Sequence, residues 1–116
     1  MGFTCYICIN NLIYDMRIVS RSTLVLFYKK HADAETAIEE WIIKTEKADW
    51  SCAADVKRTF NSVDSVGNQH YVFNIKGNDY RLVAVIKFQI KMVYIRFIGK
   101  HKEYDQYKKQ DQQPQF

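Results

Sequence analysis

The residues of this chain best suited to chemistry are five cations, one asparagine, one histidine and two tyrosines, gathered between residues 74 and 107. They are Asn74, Lys76, Arg81, Arg96, Lys100, His101, Lys102, Tyr104 and Tyr107. Arginine and lysine donate hydrogen bonds to phosphate oxygens, and arginine does so through two donors at once. A histidine exchanges protons near neutral pH, and a tyrosine ring stacks on a nucleic-acid base. Such a set could activate a 2′-hydroxyl, stabilise a phosphorane and assist a leaving 5′-oxygen, which is RNA cleavage without a metal.

Several of these residues also have a purely structural interpretation. Arg81 and Arg96 lie in apolar segments and are either partly buried beside a carboxylate or directed from an open sheet face. We favour the open face, because an unpaired buried charge is strongly unfavourable. Whether the two share a face depends on strand register, since a slip of one residue reverses a side chain. His101 could be an ordinary surface histidine, and Tyr104 could serve only to dock a helix on the sheet.

Four further aromatic or imidazole residues are assigned to structure. His31 falls at a helix end and His70 at a strand start, and neither has a chemical partner in the pattern. Trp41 and Trp50 fit buried positions along a helix or just after it. We therefore predict no direct role for these four residues in a reaction.

Motifs for metals, nucleotides and redox chemistry are absent or incomplete. Cys5 and Cys8 form a Cys-x-x-Cys pair, but no second pair or nearby histidine completes the four ligands of a zinc site. The chain has no Gly-rich phosphate loop and no His-Glu-x-x-His, so we predict no cofactor and no metal. Three scattered cysteines are typical of a reducing compartment, and no apolar run approaches the roughly 20 residues that span a bilayer. These features predict a soluble cytoplasmic protein without membrane contact.

The positive charge of the chain is concentrated rather than spread. The formal net charge is +4, and the region from Lys76 to Asp111 holds nine Lys or Arg residues against four Asp or Glu. A positive field confined to one region favours binding of a polyanion, although a solvated charged face gives the same count.

Helices are predicted in the first half of the chain. A strand over Met16–Ser20 is followed by a short helix from Thr23 to His31, with serine caps before it. After Asp33, a second candidate cap, apolar residues recur at helical spacing as far as Trp50 and predict an amphipathic helix. One more helical turn is expected near residues 55–60, and the Ser-, Asp-, Gly- and Asn-rich stretch through residue 68 reads as loop.

The second half predicts strands. Alternating residues from Tyr71 to Lys76, the run Tyr80–Phe88 and the run Met92–Ile98 are joined by tight turns, which is typical of an antiparallel meander. Helices should cover one face of this sheet and leave the other open. One or two helical turns are expected over His101–Tyr107, followed by a flexible tail over 110–116. The fold class is therefore α+β, with N-terminal helices on one face of a small antiparallel sheet and a short C-terminal helix.

Two segments together resemble the signature of HigB-type toxins, a branch of the RelE-like toxins. They are Val72–Val83, which contains Asn-Ile-Lys-Gly-Asn-Asp-Tyr-Arg, and Tyr94–Asp105, which contains Gly-Lys-His-Lys-Glu-Tyr-Asp. The start of such toxins is similar to Met16–Arg21, and their Ala-Asp-Trp is similar to residues 48–50. The resemblance covers residues 16–105 with the motifs in order. It departs at Lys100, where many relatives have threonine, and before Met16, where residues 1–15 have no counterpart.

The resemblance implies a RelE-like fold and ribosome-dependent cleavage of translated mRNA. It also implies inhibition by a helix-turn-helix antitoxin of the HigA type. Arg81 lies where such toxins hold a phosphate-binding arginine, and Arg96 matches a second basic strand position. His101 and Tyr104 fall in the segment that borders the cleft. The remaining polar and basic positions of the group, Asn74, Lys76, Lys100, Lys102 and Tyr107, are expected to contact RNA.

An alternative function remains open from the sequence. A ParE-like member of the same fold would bind a protein such as DNA gyrase and cleave nothing, because fold alone does not decide function. The length of 116 residues fits one domain. We expect an N-terminal extension over 1–15, whose presence leaves open whether Met1 or Met16 is the natural start, and a toxin domain over 16–109.

Overall fold

A computed structural model describes residues 16–111, with side chains described through Lys108. The predicted N-terminal extension, Cys5 and Cys8, and the end of the predicted tail from residue 112 lie outside the described residues. Strand β1 (Arg17–Val19) is followed by helices α1 (Arg21–Lys30), α2 (Glu35–Lys47) and α3 (Ala53–Thr59). Strands β2 (Val63–Ser65), β3 (His70–Ile75), β4 (Tyr80–Lys87) and β5 (Met92–Lys100) precede helix α4 (His101–Asp111). The α+β class is confirmed.

The five described strands form one sheet in the order β1-β5-β4-β3-β2. The predicted meander of β3, β4 and β5 is confirmed, with antiparallel pairing throughout. The sheet as a whole is mixed, however, because β1 pairs with β5 in parallel through Ile18 and Val93. Strand β2 was missed, since Val63–Ser65 is short and lies in a polar stretch that reads as loop. It pairs with β3 at the opposite edge.

The amphipathic stripe of α2 forms the centre of the core. Ile38, Trp41, Ile42 and Thr45 are buried against the sheet, as their spacing predicts. The helix ends at Lys47 rather than at Trp50. Trp50 is nevertheless buried, and its Nε1 donates to Thr59 Oγ1 at 3.0 Å. The sequence pattern gave the buried positions correctly and the helix end wrongly, because a buried residue in a following loop can continue the apolar period.

The predicted side-chain caps of the first two helices are not formed. Ser20 occupies the N-cap position of α1 in a left-handed conformation, with φ of 71°, and its side chain caps nothing. The N-cap of α2 is Ala34, and Asp33 instead directs its carboxylate to Lys76 and Tyr80. Asp33 thus bonds to residues that are distant in sequence and does not cap α2.

The sheet face opposite the helices is only partly open. Val72 and Val83 are cross-strand partners on that face and are buried, although they lie outside the main core cluster. Phe97, paired with Val83, packs against two tyrosines of α4. The C-terminal helix therefore covers one end of the face that the sequence predicts to be open. It also runs to Asp111, so the first two residues of the expected tail, 110 and 111, are helical.

The described helices do not cross a bilayer: none combines the length and the apolar character that a membrane span requires.

Candidate active site

A cleft of about 780 Å³ lies between the second face of the sheet and helix α4. Strands β2, β3 and β4 form one wall, and the first two turns of α4 form the other. The lining residues are Asp64, Ser65, Val66, His70, Val72, Arg81, Val83, His101, Tyr104, Asp105, Tyr107 and Lys108. Four residues of the predicted group, Arg81, His101, Tyr104 and Tyr107, therefore meet in one place.

Arg81 supplies the cation of the sheet wall. It faces the cleft, as the open-face interpretation predicts, and pairs with Asn74 across β3 and with Gly99 across β5. Its guanidinium Nη1 donates to the carbonyl oxygens of Asn78 at 3.3 Å and Tyr80 at 3.4 Å. Among the described residues it forms no ion pair with a carboxylate. The positive charge is thus oriented by neutral acceptors and is available to a phosphate.

Tyr104 is the aromatic residue that borders the cleft from α4. Burial raises the pKa of Tyr104 above its usual value near 10, and the negative charge of Asp64 raises that pKa further. The Arg81 guanidinium acts in the opposite direction with a smaller effect. The phenol is therefore protonated at neutral pH, and it can donate a hydrogen bond into the cleft.

His101 is the first residue of α4, and its side chain is 55% exposed. Its Nδ1 lies 3.8 Å from Asp105 Oδ2, one helical turn further along. That distance is too long for a hydrogen bond but places a carboxylate beside the imidazole. A histidine so placed can be reached from solvent and can exchange protons with a bound molecule.

A sharp junction between β5 and α4 aims His101 and Tyr104 at the cleft. The helix begins directly after Lys100, whose backbone N–H donates to Glu103 Oε1 at 2.7 Å and so caps the first turn. A Cβ atom at Gly99 would lie 2.7 Å from side-chain atoms of both Phe97 and Glu103. Only glycine fits there without displacing one of these side chains. The ring of Phe97 stacks on Tyr107, with centroids 4.8 Å apart, and holds the helix against the sheet.

His70 is a second cleft histidine, to which the sequence analysis assigned only a structural role. It is 8% exposed, and its Nδ1 lies 2.9 Å from the carbonyl oxygen of Asn68. That contact places a proton on Nδ1, because a carbonyl only accepts. Nε2 is buried and has no hydrogen-bond partner among the described residues. The parity of strand β3 could have revealed this location, since His70, Val72 and Asn74 alternate onto one face.

Asp64 also lines the cleft and was missed altogether. It lies on β2, which the sequence analysis took for loop, so no alternation could assign it a face. Its charge affects Tyr104 as described above. The sequence analysis thus missed the wall of the site that β2 forms.

Five predicted residues lie outside the cleft lining, for different physical reasons. Asn74 shares the face of Arg81 but donates its amide to Ser62 Oγ. Lys76 is bound by Asp33, with Nζ 2.9 Å from Oδ2. Arg96 is exposed at a β-bulge, because Val83 pairs with Phe97 and Ala84 with Ile95, which leaves Arg96 as the extra residue. Lys100 and Lys102 are exposed beside the start of α4. The cleft thus brings together four of the nine predicted residues, and the other five lie outside its lining.

No cluster of three or more histidine, cysteine, aspartate or glutamate side chains that could hold a metal ion occurs in the described part of the chain.

A family model described as HigB_toxin, RelE-like toxic component of a toxin-antitoxin system, matches residues 34–107. Over 52 residues the chain is 44% identical to an mRNA interferase toxin HigB of Escherichia coli K12, which is 43% of this chain and 50% of that protein. It is 26% identical over 92 residues to an mRNA interferase HigB of Escherichia coli O6:H1, covering 78% of this chain and 89% of that one. The chain thus spans about half the length of the first curated relatives that it matches.

Proposed function

Since this chain belongs to the HigB family of RelE-like toxins, we propose that it is an endoribonuclease that cleaves translated mRNA on the ribosome. The observation that carries this proposal is Arg81, a cleft arginine without a carboxylate partner among the described residues, placed opposite a protonated tyrosine. The curated relatives bear the name mRNA interferase, which supports the same activity here.

The proposed reaction uses side chains alone, with no cofactor. The 2′-oxygen of the substrate attacks the adjacent phosphorus while its proton passes to His101. The bond from phosphorus to the 5′-oxygen then breaks, which leaves a 2′,3′-cyclic phosphate and a free 5′-hydroxyl. Arg81 stabilises the negative charge of the phosphorane, and Tyr104 donates a hydrogen bond to the leaving 5′-oxygen. Solvent completes protonation of that oxygen and takes back the proton from His101.

His101 is preferred to His70 as the proton acceptor because substrate can reach it. The imidazole of His101 is more than half exposed, and its Nδ1 lies 3.8 Å from Asp105 Oδ2. The free nitrogen of His70 is covered in this structure. We therefore assign His70 to the support of the sheet wall.

The outer basic residues are proposed to hold RNA on either side of the scissile bond. Arg96 is exposed at the bulge of β5, and Lys100 and Lys102 are exposed at the junction of β5 and α4. Their side chains would contact RNA phosphates, so the affinity for RNA should fall as the salt concentration rises. Tyr107 and Asn74 would contact the RNA near the cleft.

The proposed partners are mRNA, the ribosome and a HigA-like helix-turn-helix antitoxin, all in the cytoplasm. The ParE-like alternative, in which a protein such as DNA gyrase is bound and nothing is cleaved, is not favoured, because both the family and the curated relatives are HigB.

We further propose residues 16–109 as the toxin domain. A chain beginning at Met16 should fold and act like the full chain. Loss of soluble protein on that truncation would show instead that residues 1–15 complete the core.

In vitro translation followed by primer extension tests the proposal. Purified protein should produce discrete cuts in mRNA that is being translated, and few or none in the same mRNA without ribosomes. Arg81→Ala serves as the matched inactive control. Relaxed plasmid accumulating in a gyrase assay, with mRNA intact, would support the ParE-like alternative and overturn this one.

A further inference from the structure

A single carboxylate connects the helical layer to the hairpin that carries Arg81. Asp33 lies in the one-turn 3₁₀ segment Ala32–Ala34, between α1 and α2. Its Oδ2 accepts from Lys76 Nζ at 2.9 Å, and its Oδ1 accepts from the Tyr80 hydroxyl at 2.8 Å. Both oxygens of one side chain thus hold residues that are 43 and 47 positions away in sequence.

The two residues that Asp33 holds lie at the two ends of one turn. Lys76 follows the last residue of β3, and Tyr80 begins β4. The turn is tight, with Lys76 at φ of 53° and Gly77 at φ of 66°, and it is closed by a bond from Asp79 N to Lys76 O at 3.2 Å. A left-handed conformation is unfavourable for a lysine, so a contact from outside the turn helps to maintain it. Asp33 provides such a contact.

The same turn supplies the acceptors that orient Arg81. The Asn78 carbonyl lies inside the turn and the Tyr80 carbonyl at its end, and both accept from the guanidinium. The ring of Tyr80 is fixed on its other side, since it meets the rings of Phe27 and His31 edge-on. A displacement of the turn would therefore move the Asn78 carbonyl, one of the two acceptors that orient the Arg81 side chain.

The charges of this network neutralise the ammonium group of Lys76. Asp33 and, at 3.6 Å, Asp79 both lie beside its ammonium group. The hydrogen bond to Asp33 raises the pKa of Lys76, and the bonds from Lys76 and Tyr80 hold the pKa of Asp33 below its usual value. Both groups are consequently charged throughout the neutral range and bound to each other.

We propose that Asp33 is a positioning residue, which clamps the turn of residues 76–79 and through it aims the Arg81 guanidinium into the cleft. The proposal rests on the proposed ribonuclease function for its effect on rate, but its structural part can be tested without any activity. Misplacement of a catalytic group by a distant substitution costs up to about 100-fold in rate. We expect Asp33→Ala to lower the single-turnover cleavage rate about 10- to 100-fold and to leave the affinity for RNA unchanged or higher, because Lys76 is freed.

A double-mutant cycle with Arg81→Lys tests whether Asp33 acts through Arg81. Lysine keeps the charge but lacks the planar fork that the turn carbonyls orient. Asp33→Ala should therefore slow Arg81→Lys by less than about threefold, which is the non-additivity expected of coupled residues. A full additional loss in the double variant would overturn the proposal, as would a loss confined to RNA affinity. Tyr80→Phe removes one hydroxyl from the clamp and provides a milder variant should Asp33→Ala fail to fold.

Side-chain NMR provides the readout that does not depend on cleavage. The Arg81 Nε–H resonance should shift or broaden in Asp33→Ala and Tyr80→Phe, whereas that of Arg96, exposed at the bulge, should stay unchanged as an internal control. An unchanged Arg81 signal would overturn the positioning role even in an active enzyme. A shifted Arg81 signal in a protein that cuts no RNA would instead overturn the proposed function and support the positioning role of Asp33.

Discussion

The two walls of the cleft hold their polar groups in different ways. On the sheet wall, Arg81 and His70 each direct a nitrogen to backbone carbonyl oxygens of a neighbouring turn. On the helix wall, Tyr104 packs against Phe97, and His101 is the first residue of α4 with Asp105 beside it. Backbone acceptors are fixed by the course of the main chain, whereas side-chain neighbours can change rotamer. The permanent charge is thus oriented by backbone carbonyls, and the proposed proton acceptor and hydrogen-bond donor are positioned by the helix that carries them.

Substituting the two histidines separately is the most severe test of this comparison. His101→Gln should lower the single-turnover cleavage rate by about 10²- to 10⁴-fold, the usual contribution of a general base. His70→Gln should lower it less than about tenfold and act mainly on stability, because Gln cannot reproduce the buried contact with Asn68. Quench-flow cleavage and thermal melts on the same two variants measure both effects. The reverse ranking would place the proton acceptor on the sheet wall.

Arg81→Ala should produce the next largest loss. Removing one preoriented charge from a developing phosphorane costs about 10²- to 10³-fold in rate, or roughly 3–4 kcal/mol. The fold should persist, since Arg81 forms no ion pair with a described carboxylate. Arg96→Ala, at the exposed bulge, removes the same charge outside the cleft and should weaken RNA binding only, so it is the matched control for the single-turnover rate at saturating protein. Growth arrest by a well-expressed Arg81→Ala protein would show that Arg81 is not part of the active site.

Tyr104→Phe should have a smaller effect, of about 10- to 100-fold, which corresponds to one hydrogen bond to a charged group. The pKa of Tyr104 is raised above its ordinary value near 10, so the phenol loses its proton only at still higher pH. The wild-type rate should therefore show no loss assignable to this residue between pH 7 and about pH 10. A pH–rate profile of both proteins measures it. An alkaline limb near pH 8 that disappears in Tyr104→Phe would contradict the direction of the shift.

Charge removal outside the cleft should have the smallest effect. Lys102→Met should weaken RNA binding only severalfold and reduce the slope of log affinity against log salt by about one. Lys76→Met should leave that slope unchanged, because Asp33 already neutralises the lysine. Fluorescence anisotropy over a salt series distinguishes the two variants. Equal slopes for both substitutions would show that Lys76 reaches the RNA.

Local sequence patterns predicted most helices and strands. They failed to predict side-chain positions that depend on residues distant in the sequence. The stripe of α2 and the alternation of β3 and β4 follow from short-range periodicity, so both were predictable. The bulge at Arg96 and the binding of Lys76 by Asp33 depend on strand register and on contacts far apart in sequence. Neither can be derived from residue spacing. The open-face position of Arg81 was predicted, and that of His70 could have been inferred from the alternation of β3, whereas Asp64 lies on β2, which short-range patterns did not predict.

The parallel pairing of β1 with β5 affects how the chain folds during its own synthesis. Ile18 meets Val93, so the first described strand finds its partner only after 75 further residues have been made. At about 5–20 residues per second, that interval lasts roughly 4–15 s. Contacts so distant in sequence also slow folding itself. The residues of α4 are translated later still, so a nascent chain carries Arg81 well before it can present a complete cleft. The cleft wall that carries His101 and Tyr104 is thus the last described part of the site to be made.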